Sequence, residues 1–81
     1  MNNGLYVACF KLHGLKLLQA DSLQSAAKLA TARNGGESAD WITRIDVDEY
    51  DEFKRLAKLG WRGNVADFRE AMRRVHAELF I

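Results

Sequence analysis

The sequence contains no proline and a single cysteine, Cys9. One cysteine cannot form an internal disulfide, so nothing in the thiol content argues for a secreted, stapled scaffold, and a reducing cytoplasm is the compartment it fits. No Cys/His set has zinc-site spacing. The phosphate-binding patterns GxGxxG and GxxxxGK[ST] are both missing. No window approaches about 18 consecutive apolar residues, which argues against a membrane-spanning helix. The opening MNNGLYVACF has no basic segment ahead of a long apolar run, so no signal peptide is expected. A large net charge is missing as well. The total of +1 predicts no strong general pull toward nucleic acid or anionic membranes.

What is present is the composition of one folded domain, residues 1–81, with 48% hydrophobic and 28% charged residues. A chain this short buries only about 60–65% of the surface its unfolded form exposes, so its stability is modest.

Residues 5–12 (LYVACFKL) are rich in strand formers and apolar on both alternating faces, the mark of a central strand. His13-Gly14 then reads as a two-residue turn leading into a second strand over residues 15–20, a β-hairpin. Asp21 or Ser22 caps a helix, with Asp21 and Gln24 at capping-box spacing. Leu23, Ala26, Ala27 and Ala30 share one face of that helix, and its alanines give it a thin side that can lie close on a sheet. Asn34-Gly35-Gly36 ends it. Residues 41–47 (WITRIDV) alternate as a half-buried strand, with Trp41, Thr43, Ile45 and Val47 inward and Ile42, Arg44 and Asp46 on a wet face. Asp48 caps a second helix whose apolar face is Tyr50, Phe53, Leu56 and Ala57. Gly60 stops it. Asn64 caps a third helix, striped by Val65, Phe68, Met72, Val75 and Leu79. The expected fold is α+β, in the order β-β-α-β-α-α. A three-stranded, mostly antiparallel sheet of order 2-1-3 packs against the helices. A parallel pair between strands two and three is the alternative topology.

The near-neutral total hides an asymmetry. Residues 37–52 hold seven carboxylates against Arg44 alone, a local net of −6, and the rest of the chain sums to +7. The run DVDEYDE does not fit an EF-hand, because Asp51 stands where the loop needs glycine and Ala57 where it needs glutamate. No metal or cofactor is therefore assigned. An acid-rich first helical turn suits the helix dipole, but two or three acids would meet that need. The surplus suggests a carboxylate surface able to occupy a protein groove built for phosphates. Asp46, Asp48, Glu49, Asp51 and Glu52 are its residues. Trp61 and Arg62, of types enriched at interface hot spots, join them as candidate partner-binding residues in the loop GWRGN, although the simplest role for Trp61 is to fold back between helices two and three.

Helix, GWRG, helix also has the layout of a helix-turn-helix, with residues 64–79 as the reading element and Arg69, Arg73, Arg74 and His76 upon it. Asp67, Glu70 and Glu78 share that helix and leave it at about +1 with Arg62 included, short of the basic face that DNA binding needs. This regulator reading ranks second. Catalysis has little to stand on. His13 lies in a turn, His76 on the last helix, and neither is near a serine or cysteine in sequence. Cys9, in a central strand, reads as a small buried hydrophobe. The chain is expected not to be an enzyme. Phe80 and Ile81 lie off the last stripe and either tuck under the sheet or extend an apolar patch, so the expectation is a monomer or a homodimer.

A strand followed by Ala20, Ser22, Leu23 and the alanines Ala26 and Ala27 resembles a layout seen among anti-CRISPR proteins, small phage-encoded inhibitors. The likeness covers about a quarter of the chain. It implies a non-catalytic protein of phage or mobile-element origin that binds a host defence protein or CRISPR-Cas complex and blocks DNA entry or recruitment, with the acidic run facing the basic channel. Strongly acidic DNA mimics carry a large negative total and this chain does not, so only a local mimic is implied.

Overall fold

The computed structural model describes residues 3–79, and side chains as far as residue 73. Strand β1 (Gly4–Phe10) pairs antiparallel with both β2 (Gly14–Ala20) and β3 (Trp41–Ile45), giving the order β2-β1-β3. The fold is α+β. β2 and β3 therefore run the same way with β1 between them, and helix α1 (Leu23–Arg33) makes the crossover. A 3-10 turn (Val47–Glu49), α2 (Tyr50–Lys58) and α3 (Val65–Leu79) complete the chain.

The central position of β1 follows from its two apolar faces. Val7 and Cys9 join Leu15, Ile45, Phe53, Leu56, Phe68 and Met72 on one side of the sheet, under α2 and α3. Tyr6, Ala8 and Phe10 join Leu18, Ala20, Ala26 and Ala30 on the other, under α1. Helices thus cover both faces, and every residue from Tyr6 to Phe10 is buried.

Several local expectations are corrected. The hairpin loop is Lys11, Leu12 and His13, not a two-residue turn. The His13 amide donates to the Phe10 carbonyl at 3.1 Å, and Gly14, at φ 78°, already pairs with Phe10. Leu12 is therefore in the loop and 69% exposed. α1 is capped by Ser22, whose Oγ accepts from the Ser25 amide at 3.1 Å. Of the two expected caps, Asp21 and Ser22, it is Ser22 that serves. Leu23 is exposed, while Ala26 and Ala30 carry the buried face.

β3 stops at Ile45 because the next amide is diverted. The Asp46 N–H donates to Glu49 Oε1 at 2.7 Å, and the Glu49 amide donates to the Asp46 carbonyl at 3.0 Å. The chain curls into the 3-10 turn, so Val47 points outward, 81% exposed, instead of inward. Asp46, not Asp48, precedes the helical stretch. Ile42 is half-buried against the α1 cluster, so the outer face of β3 is partly dry.

Candidate interaction surface at the two ends of the sheet

Strand β3 separates the acidic run into two groups. Asp40 lies at the end where its amide donates to the Cys9 carbonyl at 2.8 Å. Asp46 lies beyond Ile45, the partner of Leu5, at the opposite end. The intervening stretch spans roughly 20 Å. Glu37 and Asp40 therefore do not add to the carboxylates of residues 46–52.

Within that second group the carboxylates are handled one by one. Glu49 is 4% exposed and clamps the start of the turn through the Asp46 amide. Glu52 accepts from Arg55 at Nε (3.0 and 3.1 Å) and at a terminal nitrogen. Asp51 lies 3.7 Å from Lys54 with its side chain 95% exposed, a geometry that contributes little. Arg69 and Arg73 of α3 share a shallow groove with Asp46 and Glu49. The outermost feature is then a small one. Val47 projects into solvent between exposed Asp46 and Asp48, with Asp51 one helical turn on.

Trp61 and Arg62 lie at the other end of the sheet. α2 begins beside the acidic turn and closes on Gly60, whose φ of 75° and amide bond to the Ala57 carbonyl, together with Trp61 N–H to the Leu56 carbonyl at 3.0 Å, form a Schellman cap. The reversal folds the Trp61 ring back onto the α2/α3 core. It meets Phe68 at 5.8 Å and Trp41 at 6.5 Å between ring centroids, both edge-on. Trp61 is thus half-buried, a lid and not an exposed tip. Arg62 donates to the Leu12 carbonyl at 3.3 Å, tying this loop to the hairpin. Asn64 caps α3, its Oδ1 accepting from the Asp67 amide at 2.8 Å. The seven candidate residues therefore fall into two groups, five around the acidic turn and two at the far end.

One of the arginines on the would-be reading helix is bound to the fold's own backbone: Arg69 Nη1 donates to the Arg44 carbonyl at 2.9 Å. Arg73 faces Glu70 at 3.9 Å. The side chains of Arg74, Val75, His76 and Leu79, and all of Phe80 and Ile81, lie outside the described residues.

Cys9 is buried, and burial raises its thiol pKa above the ordinary value; Gly63 backbone hydrogen bonding and nearby Arg62 oppose this, and Asp40 adds to it. Among the described residues no group of three or more His, Cys, Asp or Glu side chains is placed to hold a metal ion. No helix among them is long and apolar enough to cross a membrane. No family model, curated protein or solved structure matches the chain.

Proposed function

We propose that this chain is a non-catalytic protein-binding module that seats its acidic turn in a basic groove of a partner, where a nucleic-acid strand would otherwise lie. The observation that carries the reading is Val47, 81% exposed on a turn held by the buried Glu49. An exposed apolar side chain flanked by Asp46, Asp48 and Asp51 on a braced element is a small preorganised feature. It loses little entropy on docking and presents carboxylates to Lys or Arg. The resemblance to anti-CRISPR proteins extends this reading to a cytoplasmic inhibitor, encoded by a phage or mobile element, that occludes a surface of a host defence complex.

The test is a pull-down from a bacterial host carrying a CRISPR-Cas system, followed by titration of the recovered protein. Asp48→Lys/Asp51→Lys is expected to weaken binding more than tenfold while the cooperative melting transition is retained. Val47→Asp should weaken it as well. Undiminished binding by both variants removes the turn from the interface. Capture of no nucleic-acid-binding protein overturns the occlusion reading. DNA recognition through α3 is the second reading, which the backbone contact of Arg69 weakens. A salt series settles it, because phosphate contacts make log K fall steeply with log salt.

A further inference from the structure

A second feature lies on the other face of the sheet, away from the acidic turn. Between β2 and the C-terminal end of α1 is a cavity of about 130 Å³. Phe10, Leu18 and Ala30 supply apolar wall, and Lys16, Arg33 and Asn34 supply polar wall. The sequence places these groups together simply. Lys16 and Leu18 are two residues apart on β2 and so share a face, and Phe10 and Ala8 lie on the same side of β1. α1 crosses that face with alanines, and short side chains leave room beneath its last turn.

Three nitrogen-bearing side chains meet here, two of them, Lys16 and Arg33, exposed to water. Lys16 and Arg33 form no ion pair among the described residues. Asn34 Nδ2 is buried with no hydrogen-bond partner, the one such side-chain atom among the described residues. Buried donors of this kind are rare in folded proteins and call for a specific explanation. The cations are not needed to satisfy the helix end. The Ala30 and Thr31 carbonyls already accept from the Asn34 amide, and the Thr31 carbonyl also accepts from the Gly36 amide at 2.8 Å. The helix dipole disfavours an anion at this end, but two full positive charges outweigh the partial negative charge of a terminus.

We propose that this cavity binds a carboxylate carried on an apolar group no larger than one ring or a short branched chain. The volume sets the apolar part: a cavity of roughly 150 Å³ lined by aliphatic and aromatic groups takes up benzene. The cations set the polar part, because a carboxylate answers Lys16 and Arg33 with charge-assisted hydrogen bonds. Such a group occurs in a free small acid and at the C-terminus of a peptide ending in an apolar residue.

The experiment is a titration of the labelled protein followed by backbone amide shifts, with phenylacetate, phenylacetamide, acetate, and a Gly-Gly-Phe tripeptide with a free or amidated C-terminus. Saturable shifts at Leu18 and Ala30 are expected with phenylacetate or with the free-ended tripeptide. The matching amide should bind at least tenfold more weakly, as should acetate. Response to phenylacetate alone assigns a free acid, and response to the tripeptide alone assigns a peptide end. Lys16→Ala/Arg33→Ala, checked for a dispersed spectrum, should lose at least tenfold in affinity. Equal affinity for acid and amide, equal shifts with acetate, or no saturable shift with either ring-bearing acid overturns the proposal, and these three outcomes need no variant to fold.

Discussion

The indole Nε1 of Trp41 donates to the Gly63 carbonyl at 2.8 Å, so the first residue of β3 is fastened to the loop between α2 and α3. The same ring lies 5.2 Å from Phe68 and edge-on to Trp61. This one side chain therefore joins the sheet end, the loop and α3. Trp41→Phe keeps most of the packing but leaves the carbonyl without its donor. The expected loss is about 1–2 kcal/mol, read as a fall in Tm of roughly 4–8 °C per kcal/mol for a domain of this size.

The Trp61 ring leaves little room for a side chain at Gly63. A Cβ at this position would meet Trp61 Cη2 at 3.0 Å and Cζ2 at 3.1 Å. Gly63→Ala should destabilise by about 1–3 kcal/mol through overpacking. The same change in a Trp61→Ala background should cost much less, because the clash is gone. A double-mutant cycle by urea unfolding measures the difference as a coupling energy. Additive losses would show that the Trp61 ring is not what the added methyl group meets.

Charge reversal should separate the acids of the turn by role. Glu49→Ala removes the acceptor of the Asp46 amide from a buried position and should cost about 1–3 kcal/mol. Asp48→Lys and Asp51→Lys place a cation at the start of the helical stretch and should each cost less, about 0.3–1 kcal/mol. Chemical denaturation of the three variants checks this. A reversal that includes Glu49 would confuse unfolding with loss of binding.

Burial of Cys9 links stability to alkaline pH. Its folded pKa is raised above the unfolded value, chiefly by desolvation. The protective contribution is therefore fully present below the unfolded thiol pKa of about 8.5 and is lost as pH climbs from there through the folded value. Cys9→Ala should flatten this part of the pH–stability curve relative to the parent. The native thiol should also react with a disulfide reagent at neutral pH far more slowly than the urea-unfolded chain.

The architecture was legible because β1 is apolar on both alternating faces, which fits only the middle of a covered sheet. Gly60 and Asn64 marked the end of one helix and the start of the next, and both serve as read. The end of β3 was misplaced because alternation continues to Val47 in the sequence. What stops the ladder is a side chain three residues on, Glu49, and Asp46-x-x-Glu49 is itself a capping-box spacing that signals the stop. The spacings Glu52 to Arg55 and Asp51 to Lys54 likewise announce local neutralisation on a helix. Nothing in the sequence separates Asp40 from Asp46 until the direction of β3 is known. The cavity under α1 was not legible either, since it depends on how closely an alanine face approaches β2.

α1 is held mainly by Ala26 and Ala30, with Leu29 half-buried, whereas α2 and α3 bring Phe53, Leu56, Phe68 and Met72 to their side of the sheet. Small side chains give up little apolar area to water when they lift away. α1 is therefore the element whose amides should exchange earliest with solvent deuterium, by local opening that leaves the opposite layer closed. On this expectation the two sides of β1 differ in tenacity, with Phe10 and Leu18 on the side that should yield first.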